Sequence, residues 1–280
     1  MGYLHIDNLY KDTRVLEFKN IYALEKIHGT SAHITWNGCG GIKFYAGGEK
    51  YERFVALFDV DELVARLPTT TATVYGEAYG GKQQGMRKTY GDELRFVVFD
   101  VRIEGSWLSV PQAAAFAQEL GLEFVDYALI SSDLEVVHAH RDLDSTQAIR
   151  NGMGAGHKRE GVVLRPPYEV TLNNGARLIA KHKRDDFRET RTPRHLSATE
   201  LKILVEARAI ADEWVTPMRL QHILQKLPDA TGIEHTGAVV RMMTEDILRE
   251  AEGEIVVSRA ARKAIGAATA RLYKAQVSKI

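Results

Sequence analysis

Several features that mark other classes of protein are missing from this 280-residue chain. Its one cysteine, Cys39, excludes an intramolecular disulfide and gives no indication of secretion. No run of about 18 apolar residues is present, so the sequence predicts no membrane span. The first residues, MGYLHIDNLYKD, lack an apolar signal region, and we therefore expect a cytoplasmic protein.

The overall composition is that of an ordinary folded protein. Hydrophobic residues make up 45% of the chain and charged residues 26%, and 280 residues can bury a sizeable core without disulfides or metals. Lysine and arginine together number 37, as do aspartate and glutamate. The formal net charge of +0 argues against a globally basic nucleic-acid-binding surface but leaves room for local basic clusters.

The first two thirds of the chain predict a β-rich body with interspersed helices. Apolar residues at helical spacing cover 51–67, with a break near 59–61, and a further helix is predicted from Ser109 to Gly121. The Asn174-Gly175 dipeptide predicts a hairpin turn. Alternating or β-branched runs predict strands at 22–26, 32–36, 42–45, 71–78, 94–103, 162–164 and 177–182.

The character of the sequence changes near residue 192. Ser197 and Glu200 form a capping-box pattern, Thr216-Pro217 predicts a second helix start, and a long last helix is predicted over 258–277. We therefore predict an α+β protein with two domains, a β-rich domain over 1–190 and a small all-helical domain over 195–280.

The most informative segment begins where strand 22–26 ends at Lys26. A lysine acts as a nucleophile only when its amine is deprotonated, a state that burial and neighbouring cations favour. Gly29 follows three residues later and allows a ligand to approach the backbone closely. By itself the pattern also fits an ordinary surface lysine at the end of a strand.

Five short segments then occur in an order that resembles the covalent nucleotidyltransferases, the superfamily of polynucleotide ligases and mRNA capping enzymes. The KIHGT wording is most similar to the nick-joining RNA ligases typified by the second RNA ligase of T-even phages. The resemblance implies a domain of ATP-grasp-like antiparallel sheets with helices. The segments are 25–30 (EKIHGT), 75–80 (YGEAYG), 96–101 (FVVFDV), 160–166 (EGVVLRP) and 179–183 (IAKHK).

The resemblance also implies a reaction. Lys26 attacks the α-phosphorus of ATP, releases pyrophosphate and carries AMP on its amine, with Mg²⁺ or Mn²⁺ as the metal. AMP then passes to the 5′-phosphate of an RNA strand, and a 3′-hydroxyl displaces it to seal the strand. The expected partner is RNA with such ends, as a nicked duplex or an RNA–DNA hybrid, and the protein is expected to act as a monomer.

Site residues are carried over from the matching segments. Lys26 and His28 are expected to be catalytic, and Glu160 is expected to bind the metal, because hard cations prefer carboxylate oxygens. Lys181 and Lys183 alternate along a strand, so both face one side and can hold the α-phosphate. The remaining nucleotide contacts implied are the Glu25 backbone at the adenine edge, Ile27, Ser31, Glu77 at the ribose, Phe99 on the adenine, and Arg165.

Three departures from the family pattern are visible. Ser31 stands where asparagine is frequent, and Arg165 stands where lysine is common. The segment 44–48 (FYAGG) lacks the arginine that many members carry on this strand. The ribose- or phosphate-binding arginine is therefore unassigned, with Lys43, Lys50 and Arg53 as unranked candidates.

Basic residues cluster where RNA is expected. Residues 256–280 contain no acidic residue. On a helix, Arg259, Lys263, Arg271 and Lys274 approximate one stripe, with Ala260, Ala264, Ala268, Leu272 and Ala275 opposite. We expect this stripe, with Arg188 and Arg191 after the fifth segment, to bind RNA phosphates. A solvated helix face is the alternative for the stripe.

Other functions fit the sequence less well. DNA ligases and capping guanylyltransferases normally continue into a β-barrel after the fifth segment, whereas residues after 195 are predicted to be helical. A catalytically degenerate RNA-binding protein is the alternative from another class. Retention of Lys26, Glu77, Glu160, Lys181 and Lys183 together argues against it.

Overall fold

The computed structural model of this protein describes residues 2–187 and 198–278. The chain divides into two compact units, Met1–Pro193 and Arg194–Ile280, called here the first and second units. The predicted cap at Ser197 and the predicted RNA contacts Arg188 and Arg191 lie outside the described residues.

The described part of the first unit forms two five-stranded sheets. One has the order β1-β10-β9-β2-β8 and the other β4-β3-β5-β6-β7, and all pairings are antiparallel except β1 with β10. The strands are β1 (Asp7–Asn8), β2 (Asn20–Lys26), β3 (Thr30–Asn37), β4 (Ile42–Tyr45), β5 (Thr71–Gly80), β6 (Leu94–Ile103), β7 (Ser106–Trp107), β8 (Tyr127–Ser131), β9 (Gly161–Arg165) and β10 (Ala180–Lys183).

Six α-helices connect these strands in the described part of the first unit. The predicted break in the helix over 51–67 is real, because the Asp59 side chain accepts a hydrogen bond from the Glu62 amide and starts a new helix. Ser109 and Gln112 form a capping box at the predicted helix start. The helices are α1 (Tyr51–Val55), α2 (Val60–Arg66), α3 (Arg87–Tyr90), α4 (Val110–Glu119), α5 (Leu134–Arg141) and α6 (Thr146–Arg150).

Two hydrophobic clusters hold the sheets in place. The larger one covers the outer face of the β4-β3-β5-β6-β7 sheet with α1, α2 and α4, and it contains the fully buried Phe54 and Val74. The other joins β2 to β5 and β6 through Leu24, Tyr79 and Val97. Burying each such side chain contributes about 1.5–3 kcal/mol. This second cluster fixes the end of β2, where Lys26 lies, beside β5.

The strand predicted over 177–182 is shorter than expected. It begins only at Ala180, because the preceding residues close a hairpin in which the Leu172 amide donates to the Ala176 carbonyl. The Asn174-Gly175 turn itself is present, with the Asn174 side chain accepting from the Ala176 amide.

The described part of the second unit is helical. Thr216 and Ser258 cap helices at the two predicted starts, each accepting a hydrogen bond from a backbone amide three residues later. The core includes Leu220, Met243 and Tyr273. The helices are α7 (Ala198–Trp214), α8 (Pro217–Gln225), α9 (Thr236–Glu250) and α10 (Arg259–Val277).

The predicted apolar face of α10 is confirmed for Ala264, Ala268 and Leu272, which pack partly buried against the core, but its centre is shifted by part of a turn. The fully buried residues are Ala261, Ile265, Thr269 and Tyr273, whereas Ala275 is exposed. Alanine contributes little apolar area, so the larger Ile265 and Tyr273 decide which side of the helix faces the core. Within the described residues, no helix combines the length and the apolar character that crossing a membrane requires.

Candidate active site

Three neighbouring strands bring two of the predicted lysines to one place. Lys26 at the end of β2 pairs with Gly161 on β9, which in turn pairs with Lys183 on β10. A Cβ atom at Gly161 would lie 2.2 Å from the His182 carbonyl oxygen, so only glycine allows β10 to approach this closely. The glycine between the two lysines is therefore part of the site geometry.

Glu160 precedes that glycine and contacts two lysines and a histidine. One of its carboxylate oxygens lies 2.8 Å from the Lys26 amine and 3.1 Å from His28 Nδ1, and the other lies 2.9 Å from the Lys183 amine. Burial disfavours the charged carboxylate, but the His28 hydrogen bond and the Lys26 charge outweigh burial and lower the pKa of Glu160 to about 2. Glu160 is therefore ionised at neutral pH.

The surroundings of Lys26 differ from the cation-rich environment that the sequence suggested. Its amine contacts the Glu160 carboxylate directly, and Lys183 shares that same carboxylate. Lys181, two residues before Lys183 on β10, lines the adjoining cavity as the alternation predicts. Lys26 and Lys183 thus share one carboxylate, which holds the Lys26 amine in position.

Glu77 on β5 is the second carboxylate near Lys26. Burial raises the pKa of Glu77 to about 7, with the Lys26 charge opposing this shift and the Glu160 charge adding to it. The Gly29 amide donates a hydrogen bond of 3.1 Å to Glu77 Oε1. The two carboxylates therefore differ by several pKa units although both lie beside the same lysine.

Gly29 allows that contact. A Cβ atom at this position would lie 2.4 Å from the Ala78 carbonyl oxygen and 3.0 Å from the Glu77 side chain. The turn between β2 and β3 can therefore pack against β5 only with glycine here. His28, one residue earlier, is held by its amide, which donates to the Tyr90 hydroxyl at 3.3 Å.

A cavity of about 1020 Å³ opens beside Lys26, between the two sheets. This is at the upper end of the range for small-molecule sites in proteins. Lys26 and Val163 contribute to its wall from one sheet, and Phe99 does so from the other. Among the predicted site residues, the cavity is lined by Glu25, Lys26, Ile27, Ser31, Glu77, Phe99, Arg165 and Lys181.

The Glu25 side chain is engaged in contacts within the protein and does not serve as a ligand-binding group. It is buried and accepts hydrogen bonds from Ser145 Oγ at 2.5 Å and from the Gln147 amide at 3.2 Å, which fixes the start of α6. Its own amide donates to the Asp126 carbonyl at 2.8 Å. The Glu25 carboxylate is therefore a structural anchor beneath the cavity wall.

Arg165 is also committed to a buried network. Its guanidinium donates to Asp100 at 3.0 Å and to the Leu108 carbonyl at 2.8 Å, and it forms an ion pair with Glu169. Arg177 reaches the other Asp100 oxygen at 2.5 Å. Removing one member of such a buried pair typically costs about 3–5 kcal/mol. Arg165 touches the cavity, but its charge is neutralised by these carboxylates.

The N-terminal segment completes this network, which sequence reasoning did not find. The Tyr3 hydroxyl donates to Asp100 at 2.6 Å and accepts from Arg177 at 3.1 Å, and its ring lies against Phe99 with centroids 4.8 Å apart. Burial first, then the Asp100 charge, raises the pKa of Tyr3 well above its usual value. Asp100 lies in the quoted segment FVVFDV, whereas no local pattern marks Tyr3 or Arg177.

A metal ion would have one suitable protein carboxylate here. Over residues 2–187 and 198–278, no group of three or more His, Cys, Asp or Glu side chains is close enough to hold an ion. Mg²⁺ usually keeps several waters and binds one or two carboxylates together with substrate phosphates. Glu160, ionised and next to Lys26, fits that role.

The predicted RNA contacts of the second unit lie on α10. Arg259, Lys263 and Lys274 are exposed, and Arg271 is half-buried. They lie beside the buried stripe of this helix, on its solvent-facing side.

The two sheets thus enclose a cavity with a lysine at its edge. The chain belongs to the RNA ligase family, whose sequence pattern matches residues 19–183, more than half of its length. The predicted resemblance to the RNA ligases and the predicted α+β fold are thereby confirmed.

Solved structures of Naegleria gruberi RNA ligase share the fold. The complex with PPi has a TM-score of 0.52 at 14% identity, covering 67% of this chain and 57% of that one. A variant with ATP and Mn gives 0.51 at 14% identity, with the same coverage of both chains. At these identities the likeness concerns the fold alone, and this chain spans little more than half of the Naegleria protein. No curated protein sequence gives a significant match.

Proposed function

We propose that this protein is an ATP-dependent RNA ligase that joins 3′-hydroxyl and 5′-phosphate ends at nicks in duplex RNA. The observation that carries the proposal is the Lys26 amine, held 2.8 Å from Glu160 at the edge of the cavity that Glu77 and Phe99 line. Membership of the RNA ligase family supports it. So do the relatives with this fold that were solved with ATP and Mn or with PPi.

In the first step Lys26 releases a proton to water, its neutral amine forms a bond to the α-phosphorus of ATP, and the bond to the pyrophosphate leaving group breaks. The protein contributes alignment and charge, because an in-line displacement at phosphorus needs little else. Lys181 and Lys183 supply positive charge for the α-phosphate. Glu160 holds the amine, and when Mg²⁺ or Mn²⁺ is bound this cation neutralises phosphate oxygens.

The nucleotide is held by the cavity walls. Phe99 offers a ring for the adenine, the backbone of Glu25 and Ile27 faces its edge, and Glu77 with Ser31 faces the ribose. Arg165 lies in the cavity wall, and in this proposal it helps to shape that wall, because Asp100 and Glu169 already bind its guanidinium.

In the later steps AMP passes from Lys26 to the RNA 5′-phosphate, and the 3′-hydroxyl then displaces it. His28 lies 3.1 Å from Glu160 and beside Lys26, where it can contact the RNA phosphate. We further propose that the first unit is the adenylyltransferase and that the helical second unit holds RNA with Arg259, Lys263, Arg271 and Lys274. The closeness of the KIHGT segment to nick-joining RNA ligases supports duplex nicks as substrate.

The direct test is incubation with α-labelled ATP and a divalent metal, followed by a denaturing gel. We expect label to remain on the wild-type protein and to be absent from Lys26→Ala. Lys19→Ala, which changes an exposed lysine just before β2, serves as the matched control and should label normally. Absence of label with both Mg²⁺ and Mn²⁺ would favour a degenerate RNA-binding protein. Labelling by α-labelled GTP but not by ATP would favour a capping enzyme.

The substrate is tested separately. Matched nicks in duplex RNA, an RNA–DNA hybrid and duplex DNA differ only in the sugars of the strands. We expect joining of the RNA nick to be fastest. Equal or faster joining of the DNA nick would assign the protein to the DNA ligases instead.

A further inference from the structure

One end of the cavity carries aromatic rings that the proposed nucleotide contacts do not use. His33 on β3 and Tyr45 on β4 face each other across the strand pair, with ring centroids 4.2 Å apart and planes 12° from parallel. Both residues line the cavity. Tyr45 is 41% exposed, whereas His33 beneath it is 6% exposed. The stack therefore presents one accessible tyrosine face on a rigid support.

The stack continues into a series of rings across the sheet. Tyr75 lies 5.3 Å from His33, and Trp107 lies 5.3 Å from Tyr75. Tyr3, 5.1 Å from Tyr75, links this series to Phe99 at the nucleotide end. Rings packed in this way on strands keep their orientation, so Tyr45 is already in place for a stacking partner.

Cationic and hydroxyl side chains flank the rings. The next row of paired residues on the same face of the sheet contains Lys43, Thr35, Thr73 and Arg102, about 7 Å farther along the strands. Lys43 and Arg102 are exposed at its two ends, and the hydroxyls of Thr35 and Thr73 lie 3.0 Å apart between them. This row offers two positive charges and two hydroxyl groups beside an aromatic face.

We propose that this face, formed by Lys43, Tyr45, His33, Thr35, Thr73 and Arg102, binds an unpaired stretch of RNA next to the nick, on the strand that leads to Lys26. A base stacks on Tyr45, and its neighbouring phosphates contact Lys43 and Arg102. Aromatic platforms bordered by cations are the usual solution for single-stranded nucleic acid, because every base has a stacking face and every phosphate a charge.

An RNA strand fits this face better than a second part of ATP does. The groups proposed for the adenine, ribose and phosphate are other residues of the cavity wall, namely Phe99, Glu77 and Lys181. Ser31 pairs with Glu77, and His33 stands two residues farther along β3, so the ring stack lies about 7 Å beyond the ribose contacts. The inference rests on the proposed function, since it assigns the path of the RNA substrate.

The main test compares Tyr45→Ala with Tyr45→Phe. The probe is a short fluorescein-labelled single-stranded oligouridylate, and its Kd is measured by fluorescence anisotropy at one fixed salt concentration. Loss of the ring should weaken binding by about 5-fold to 150-fold, whereas phenylalanine keeps the stack and should bind within about twofold of wild type. Tyr168→Ala removes another exposed tyrosine that does not line the cavity, and should leave Kd unchanged.

A second variant, at Lys43, tests RNA binding by this face without changing the Tyr45 side chain. Lys43→Ala should lower the slope of log Kd against log salt by about 0.7, as expected when one phosphate contact to a single strand is lost. Tyr168→Ala should form the labelled lysine adduct from ATP at the wild-type rate, and adduct formation by the Tyr45 and Lys43 variants is measured beside it. If the wild type forms no adduct, the proposed function fails, while RNA affinity still tests this face.

Two results would overturn the proposal. Wild-type affinity for the oligouridylate in both Tyr45→Ala and Lys43→Ala would show that RNA does not use this face. A raised KM for ATP in Tyr45→Ala, with unchanged RNA affinity, would assign the stack to the nucleotide site.

Discussion

Replacing each of the two carboxylates beside Lys26 by glutamine should change the free energy of unfolding in opposite directions. Glutamine has the size of glutamate but no charge, so the exchange isolates the electrostatic contribution. Glu77→Gln removes a carboxylate whose ionisation the fold disfavours, and Glu160→Gln removes one whose ionisation the fold favours. The first variant should therefore be more stable than wild type near neutral pH, and the second less stable.

For Glu77 the pKa rises from 4.5 to about 7 on folding. A raised acid pKa means that the group destabilises the folded state as pH increases from the unfolded value through the folded one. With about 1.4 kcal/mol per pKa unit, this penalty grows from about 1 kcal/mol at pH 5 to about 3 kcal/mol at pH 8. The stability gained in Glu77→Gln should follow the same curve, because its amide oxygen can still accept from Gly29.

For Glu160 the pKa falls from 4.5 to about 2. A lowered acid pKa gives stability that is present above pH 4.5 and is lost as pH falls through 2. The same conversion gives a loss of about 3 kcal/mol in Glu160→Gln at neutral pH. This loss already contains the attraction of Lys26 and Lys183 for the Glu160 carboxylate, which is among the causes of its lowered pKa.

The assay is urea unfolding without nucleotide at pH 5, 7 and 8. A Trp214→Phe background leaves Trp36 and Trp107, both in the first unit, as the fluorescent reporters. Glu119→Gln on the exposed side of α4 is the control and should stay within about 0.5 kcal/mol of the background. Equal signs for the two site variants, or a pH-independent gain in Glu77→Gln, would refute the charge assignment of this site.

Three further predictions concern the reaction. Gly161→Ala should abolish lysine adenylylation and lower the melting temperature, because its methyl group meets the His182 carbonyl at 2.2 Å; normal labelling would show that the approach of β10 is not needed. Lys181→Ala and Lys183→Ala should each lose ATP labelling with an unchanged circular dichroism spectrum, and near-normal labelling of either would misplace the phosphate site. Truncation after residue 195 should spare labelling but slow nick sealing, and unchanged sealing would remove the second unit from RNA binding.

Local sequence patterns predict most elements of the fold. Strands such as β4 and β6 are set by alternation, and helix starts at Asp59, Ser109 and Thr216 are set by side chains that cap them. Such signals act within a few residues, so they are readable from the chain alone. The face of α10 was harder, since which side is buried depends on partners in α7 and α9.

The candidate site divides in the same way. The five segments identify Lys26, Glu77, Glu160 and the two lysines of β10, but not which groups contact one another. The carboxylate between Lys26 and Lys183 arises from strand register, a tertiary property. The Tyr3 network could not be predicted, because it joins residues about 100 and more positions apart without a motif.

The central claim is that the Lys26 amine becomes the covalent carrier of adenylate. The most direct measurement is mass spectrometry of proteolytic peptides after incubation with ATP and Mg²⁺, under conditions that preserve the phosphoramidate bond between lysine and AMP. The account predicts one AMP adduct, on the peptide that contains Lys26, and none on the peptides that contain Lys181 or Lys183. An adduct on another lysine, or an intact protein that consumes ATP without any adduct, would contradict it.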